Sequence, residues 1–78
     1  MPRYYFDHRD GDTLISDDEG LEFDGIKAVR DEATRALAGI AKDALPGSVR
    51  REITIEVRDE ASRPVLRAAL WFEVQTLA

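Results

Sequence analysis

The feature that most constrains the fold of this chain is a pair of alternating stretches in its carboxyl-terminal half. In residues 51–58 and again in residues 65–74, every second side chain is apolar, which is the pattern of a half-buried β-strand. A loop of hairpin length separates the two stretches, and closing it with Asp59 opposite Pro64 fixes a register. This register matches apolar side chains on one face and opposite charges on the other, in the pairs Val57–Leu66, Ile55–Ala68, Ile53–Leu70 and Glu56–Arg67. The sequence therefore predicts an antiparallel hairpin with one apolar face.

The amino-terminal third predicts shorter strands joined by turns. Residues 2–8 contain three consecutive aromatic residues, which favour a strand. The Asp-Gly-Asp turn at residues 10–12 supplies the residue with positive φ that a tight hairpin needs, so residues 13–15 are predicted to form a short returning strand. A second polar turn and a brief extended segment at residues 21–23 follow. Alternation along the first strand places three side chains on one face: Tyr4, Phe6 and His8.

One helix is predicted between these strands and the hairpin. Its apolar side chains recur every three or four residues and form a single stripe. Asp24 is the predicted N-cap, because its carboxylate can accept hydrogen bonds from the amides of the first turn. Pro46 and Gly47 end the helix, since the residue before a proline avoids the α region. The stripe consists of Ile26, Val29, Ala33, Leu37, Ile40 and Ala44.

These elements predict a single domain, residues 1–78, with an α+β fold. One helix with one apolar stripe covers one face of a small antiparallel sheet, which gives a two-layer sandwich in the order β-β-(β)-α-β-β. The opposite face of the sheet has no helix to cover it, yet alternation directs Tyr5 and Trp71 to that face. Trp and Tyr are the residues most enriched at binding hot spots. We therefore take Tyr5 and Trp71 as the candidate interface residues and expect a homodimer or a complex with an unidentified protein partner.

Composition and charge restrict the classes of partner. The chain has no cysteine, whereas a small secreted domain usually needs disulfides, and it shows neither a signal peptide nor an apolar run of membrane-spanning length. We therefore expect a cytoplasmic protein with no membrane contact. Residues 1–24 hold eight acidic residues against two arginines, a net charge of −6 within a chain of net charge −5. Binding to phosphates needs a basic patch, and the arginines of the second hairpin alternate with acidic residues, so nucleic acid is a disfavoured partner.

Candidate catalytic and metal-binding residues are few. His8 is the only histidine, and no serine lies in a recognisable nucleophile motif, so we interpret His8 as a solvated or capping side chain at a strand end. The acidic turns offer oxygen ligands, but neither Gly11 nor Gly20 anchors a calcium loop with the required spacing and closing glutamate. No cofactor motif is found, and we expect neither an enzyme nor a bound cofactor. Solvated turns are the favoured interpretation, and a loose divalent site stays open at Asp10, Asp12, Asp17 and Asp18.

Several motifs together resemble a known bacterial family. They are the opening M-P-R-Y-Y-F-D, the D-G-D turn, the D-D-E-G-L-E-F segment, the alanine-rich helix and the closing E-I-T-I-E-V-R-D-E-x-x-R-P-V-L. This set is similar to a family of short, mainly alphaproteobacterial proteins that is classed as a domain of unknown function and typically begins M-P-R-Y-F-F-D. The resemblance covers essentially the whole chain; it implies a bacterial cytoplasmic protein and assigns no functional residue. In fold alone, the order of strands, helix and further strands also resembles HicB-type antitoxins.

Two functional hypotheses follow. The first is a non-enzymatic protein-interaction module that self-associates or binds a partner through the open sheet face. The alternative is an antitoxin-like regulatory protein that inhibits a partner ribonuclease. Capture of a toxin-sized partner from the native host would favour the alternative, whereas self-association alone would favour the first hypothesis.

Overall fold

The protein consists of one helix packed on one face of a five-stranded antiparallel sheet. A computed structural model describes all 78 residues. The predicted α+β class and the predicted order of strands and helix are confirmed. The elements are β1 (Arg3–Asp10), β2 (Thr13–Ile15), β3 (Leu21–Glu22), α1 (Ile26–Ala44), β4 (Arg50–Arg58) and β5 (Pro64–Glu73).

Strands β1 and β4 form the middle of the sheet, which has the order β2-β1-β4-β5. The short strand β2 pairs with residues 8–10 of β1, and the still shorter β3 pairs with residues 3–4 of β1. On the far side, β5 pairs only with β4 and forms an edge strand of ten residues. The sheet therefore ends in two short strands on one side and in one long strand on the other.

The β4–β5 hairpin has the predicted register in its body and a different closing turn. All four predicted pairs are observed: Val57–Leu66, Ile55–Ala68, Ile53–Leu70 and Glu56–Arg67. The predicted closing pair of Asp59 with Pro64 is wrong, because Val65 is an extra residue in β5 and forms a bulge that brings Arg58 opposite Pro64. Asp59 tightens the turn instead, since its carboxylate accepts hydrogen bonds from the amides of Ala61 and Arg63, both at 2.9 Å.

The hydrophobic core lies between α1 and the middle of the sheet. Leu37 and Ile55, which are 8% and 2% exposed, both lie at the helix–sheet interface as predicted. Branched aliphatic side chains from β4 fill the space beneath the helix, where each fully buried side chain contributes roughly 1.5–3 kcal/mol. The core cluster comprises Val29, Ala33, Leu37, Ile53, Ile55 and Val57.

The amino terminus of α1 differs from the sequence prediction. The N-cap residue is Gly25, which has extended backbone and makes no side-chain cap, so the predicted cap by Asp24 is wrong. Ile26 is the first helical residue and its side chain is 54% exposed, so the buried stripe begins at Val29. The carboxyl end is as predicted, since the helix stops at Ala44. No helix in the structure is long and apolar enough to cross a membrane.

Candidate functional site

The sheet face opposite α1, here called the open face, is covered at one end by the loop at residues 16–20. Tyr5 lies on this face and is only partly exposed. The Arg58 guanidinium stacks on its ring, 4.6 Å from the ring centroid. Gly20 is buried against the same ring, and a Cβ added to Gly20 would lie 2.9 Å from Tyr5 Cε1. Tyr5 is therefore a packing residue beneath a loop rather than part of an exposed aromatic patch.

Asp17 holds this loop on the sheet. Its carboxylate accepts a hydrogen bond from the amide of Phe6 at 3.0 Å, and from the amides of Glu19 and Gly20 at 3.0 and 3.1 Å. Partial burial by itself raises the pKa of Asp17, but the three amide donors and the nearby Arg58 charge outweigh it and hold that pKa below its usual range. The ionised carboxylate is thus the form that fixes the loop.

The contacts of the loop continue into the sheet through Asp7 and Arg58. The amide of Asp17 donates to Oδ1 of Asp7 at 2.9 Å, and Arg58 Nε donates to Oδ2 of Asp7 at 3.0 Å. Arg58 Nη2 completes the ring of contacts with a 2.7 Å hydrogen bond to the carbonyl oxygen of Asp17. The charges at this end of the open face therefore satisfy one another.

Asp10, from the first acidic turn, ties the end of β1 to the end of the helix. Arg51 Nε and Nη2 donate to its two carboxylate oxygens at 3.0 and 2.7 Å. Arg51 Nη1 donates to the carbonyl of Ala44 at 3.1 Å and to Ser48 Oγ at 3.0 Å. One guanidinium therefore links the carboxyl end of α1 to the turn between β1 and β2. The hydrogen bonds from Arg51 hold the pKa of Asp10 below its usual range, against the opposing effect of burial.

The four aspartates considered as a loose divalent site are not brought together. Asp17 bonds the amide of Phe6, which is four residues from Asp10 along β1, a distance of roughly 13 Å at the rise of a β-strand. Asp12 and Asp18 are exposed. No group of three His, Cys, Asp or Glu side chains is positioned to hold a metal ion.

His8 lies on the helix side of β1, where it pairs with Ile55 of β4 and Ile15 of β2. Its Nε2 atom is buried and has no hydrogen-bond partner. His8 is half-buried, on the same side of β1 as Phe6, so its imidazole is only partly solvated. No hydrogen bond joins His8 to a serine or a carboxylate, so the structure contains no assembled catalytic dyad around it.

The centre of the open face is covered by a row of alternating charges. Arg9 contacts Glu56 at 3.6 Å, and Arg67 lies 3.9 Å from Glu56 and 3.7 Å from Glu52. Thr54, on the same face of β4, is only 1% exposed. Long arginine and glutamate side chains can shield apolar surface with their methylene stems while their charged ends stay in water. These side chains therefore take the place of a second covering layer.

A shallow pocket of about 490 Å³ opens beside the bulge at Val65. Arg58 and Arg67 line it together with Asp7 and Glu56, and Val65 forms part of its wall. Both arginines contact these acidic residues, so the pocket offers no unpaired charge to a ligand.

Trp71 lies at the other end of the open face and is 65% exposed, which makes it the one exposed aromatic side chain. It pairs with Glu52 of β4, whereas Tyr5 pairs with Arg58. These two β4 residues are six positions apart, so Tyr5 and Trp71 are separated by roughly 20 Å along the strand direction. The structure therefore does not join the two candidate interface residues into one patch.

The residues that cover Tyr5 are not evident from the local sequence pattern. The stacking of Arg58 and the close approach of Gly20 depend on a long-range fold of the loop at residues 16–20. A local signal was present in Asp17, because an aspartate that accepts the amide two residues later is a common turn former.

Comparison with known proteins adds the family of the chain. No curated protein and no solved structure matches it. A family model described as "Domain of unknown function (DUF6894)" matches residues 3–71, which run from the first residue of β1 to Trp71 in β5. Since this match includes the helix and both hairpin strands, the chain belongs to the DUF6894 family of domains of unknown function.

Proposed function

We propose that this domain is a non-enzymatic protein-interaction module that binds another protein chain along β5, with Trp71 as the central contact. The observation that carries the proposal is an exposed indole on a strand that has no neighbour on its outer side. Burying the exposed part of an indole contributes roughly 2–4 kcal/mol, from its area and the usual hydrophobic coefficient. This contribution makes Trp71 the strongest single anchor on the open face.

The rest of the open face supports the same location for the contact. Tyr5 lies beneath a loop, and the central charges pair with one another, so neither region offers an apolar surface. At the β5 end, Trp71 stands beside Ala69, whose small exposed side chain leaves the indole accessible from the strand edge. The ion pairs of Arg67 and Glu52 then form a polar rim of the kind that surrounds interface anchors.

The antitoxin-like alternative, in which the partner is a ribonuclease, stays a prediction. It shares with the first proposal the requirement for a protein-binding surface, and it differs in the identity of the bound chain. Identification of the protein that contacts Trp71 therefore distinguishes the two hypotheses.

The proposal is tested by placing the photoreactive residue benzoylphenylalanine at position 71 of the full chain in its native host. Position 14 is the matched control, because Leu14 is also exposed on the open face but lies at the opposite edge of the sheet. We expect irradiation to attach a protein covalently at position 71 and not at position 14. A ribonuclease in the product would favour the antitoxin-like alternative. Adducts that are absent at position 71, or equal at the two positions, would contradict the proposal.

A further inference from the structure

The outer edge of β5 presents a row of unpaired backbone groups. The amide of Val74 donates to the carbonyl of Val49 at 2.8 Å, so the backbone of Val74 points toward β4. In an antiparallel strand the direction alternates, and Phe72 and Leu70 therefore also point toward β4. It follows that the amides and carbonyls of the odd-numbered residues 67, 69, 71 and 73 point away from the sheet.

Residues 66–73 of this edge lack the devices that usually prevent edge-to-edge pairing. Natural edge strands are typically short, or are interrupted by a bulge, a proline or inward-pointing charges. The proline and the bulge of β5 are confined to its first two residues, Pro64 and Val65, so residues 66–73 run uninterrupted, and residues 68–72 are all apolar. An edge of this length and composition is suited to pairing with a further strand.

The sequence of β5 identifies the strand that fits it, because residues 67–73 are complementary to themselves in antiparallel alignment. In a pair of β5 strands related by a two-fold axis at Leu70, each aromatic side chain meets an alanine, each charge meets its opposite, and Leu70 meets its own copy. The resulting cross-strand pairs are Arg67–Glu73, Ala68–Phe72, Ala69–Trp71 and Leu70–Leu70.

Neighbouring registers lose this match. Centring the pair on Ala69 places Glu73 opposite Val65. Centring it on Trp71 places two indoles opposite each other and leaves Glu73 opposite Ala69. All three registers agree with the backbone, because each pairs residues with outward-pointing groups with one another, so the side chains select the register centred on Leu70.

The distribution of charge favours the same edge. Residues 1–24, which contain β1, β2 and β3, hold eight acidic residues against two arginines, and they lie on the side of the sheet away from β5. Strand β5 itself contains one arginine and one glutamate, so it has no net charge. Two copies that meet at β5 therefore keep their acidic regions at opposite ends of the joint sheet, where repulsion between them is screened by salt.

We infer that the partner of this domain is a second copy of the same chain, joined by antiparallel pairing of the two β5 strands about a two-fold axis at Leu70. The inference rests on the proposed function and specifies its partner. The two five-stranded sheets become one continuous sheet of ten strands with both helices on the same face. Each Trp71 then lies against Ala69 of the other copy, which shields the indole from water on one side.

A cysteine scan of the full chain reads the register directly, because the protein has no cysteine of its own. Leu70→Cys places two cysteines directly opposite each other across the axis. The Cα atoms of a cross-strand pair without hydrogen bonds are about 4.5 Å apart, so the two thiols can form a disulfide. Ala69→Cys is the matched control, because it is a small change that keeps Trp71. In the inferred register, residue 69 is diagonal to its own copy, at roughly 7–8 Å or more, which exceeds the reach of an unstrained disulfide.

Sedimentation of the wild type from about 1 to about 500 µM should show a reversible dimer, as mass action requires. In a glutathione redox buffer, the disulfide-linked fraction of Leu70→Cys should exceed that of Ala69→Cys by at least about tenfold. A wild type that stays monomeric overturns the inference. A different protein attached at position 71 of that monomer would still support the proposed function. A dimer in which Ala69→Cys cross-links faster than Leu70→Cys overturns the register.

Amide hydrogen exchange on the wild type tests the pairing of the two β5 strands without any substitution, in case the Leu70→Cys variant does not fold. At high protein concentration, the amides of residues 67, 69, 71 and 73 should exchange slowly, and dilution should restore fast exchange at these four amides only. Fast exchange of these amides at every concentration would overturn the inference. Retained slow exchange at Ile55, which lies within the sheet, serves as the control for an intact fold.

Discussion

Replacement of Gly20 by alanine measures how tightly the loop at residues 16–20 packs on the sheet. Gly20 has a φ of +70°, and a residue with a Cβ loses about 1–2 kcal/mol in this left-handed conformation. The new Cβ would also lie 2.9 Å from the carbonyl oxygen of Tyr4 and 2.9 Å from Cε1 of Tyr5. Because one of these neighbours is backbone, the loop itself must move, and overpacking of this kind costs about 1–3 kcal/mol. We expect G20A to lower the free energy of unfolding by about 2–5 kcal/mol.

Gly11 supplies the matched control for this substitution. Its φ of +60° is nearly the same, but an added Cβ would meet no atom within 4 Å. G11A should therefore show the backbone penalty alone, about 1–2 kcal/mol. Urea unfolding of the wild type and both variants, followed by circular dichroism, gives the three free energies, and each kcal/mol also shifts the melting temperature by roughly 4–8 °C in a domain of this size. Equal losses in G20A and G11A would refute the close packing of the loop against Tyr5.

Three further predictions concern the core, the acidic turns and pH. Leu37→Ala and Ile55→Ala should each lower the free energy of unfolding by about 2–5 kcal/mol, and losses below about 0.5 kcal/mol at both positions would contradict their place in the core. Millimolar calcium or magnesium should leave the melting temperature unchanged, whereas an ion at a hundred times its dissociation constant would add about 2.7 kcal/mol. The hydrogen bonds from Arg51 lower the pKa of Asp10 in the fold, so this contribution to stability is present above the usual aspartate pKa of 3.8 and is lost as the pH falls through the lowered value. The free energy of unfolding, measured by urea titration, should therefore fall less between pH 5 and about pH 2 in Asp10→Asn than in the wild type. An equal fall in the two proteins would contradict a stabilising role for the ionised Asp10 carboxylate.

The hairpin could be predicted from sequence because its information is local and redundant. Alternation defines two strands, and a slip of one residue would turn every apolar side chain to the wrong face. The pairs Ile55–Ala68 and Glu56–Arg67 are observed for that reason. The closing turn could not be predicted in the same way, because alternation encodes neither the bulge at Val65 nor the side-chain hydrogen bonds of Asp59.

The candidate site could be predicted only in part, because two of its determinants are long-range. Alternation correctly directs Trp71 to the open face, and no other element reaches it. The same rule directs Tyr5 to that face but gives no information about the loop that covers it. For His8, alternation predicts the face of β1 but not the exposure of each ring nitrogen, since the residue is half-buried and its Nε2 atom is fully buried.

The two edges of the sheet differ in a way that bears on where another chain can bind. At the edge of β1, pairing with β3 ends at Tyr4 and pairing with β2 begins at His8, and the amide of Phe6 between them is bonded by the carboxylate of Asp17. A side chain thus occupies the hydrogen-bonding position that an incoming strand would need, and the surrounding acidic residues repel a second copy. No comparable side chain blocks β5, whose only neighbour is β4. The chain therefore protects the β1 edge with short strands and an aspartate, whereas the β5 edge is long, apolar and self-complementary. Strand pairing with a second copy is sterically open and electrostatically favoured at the β5 edge.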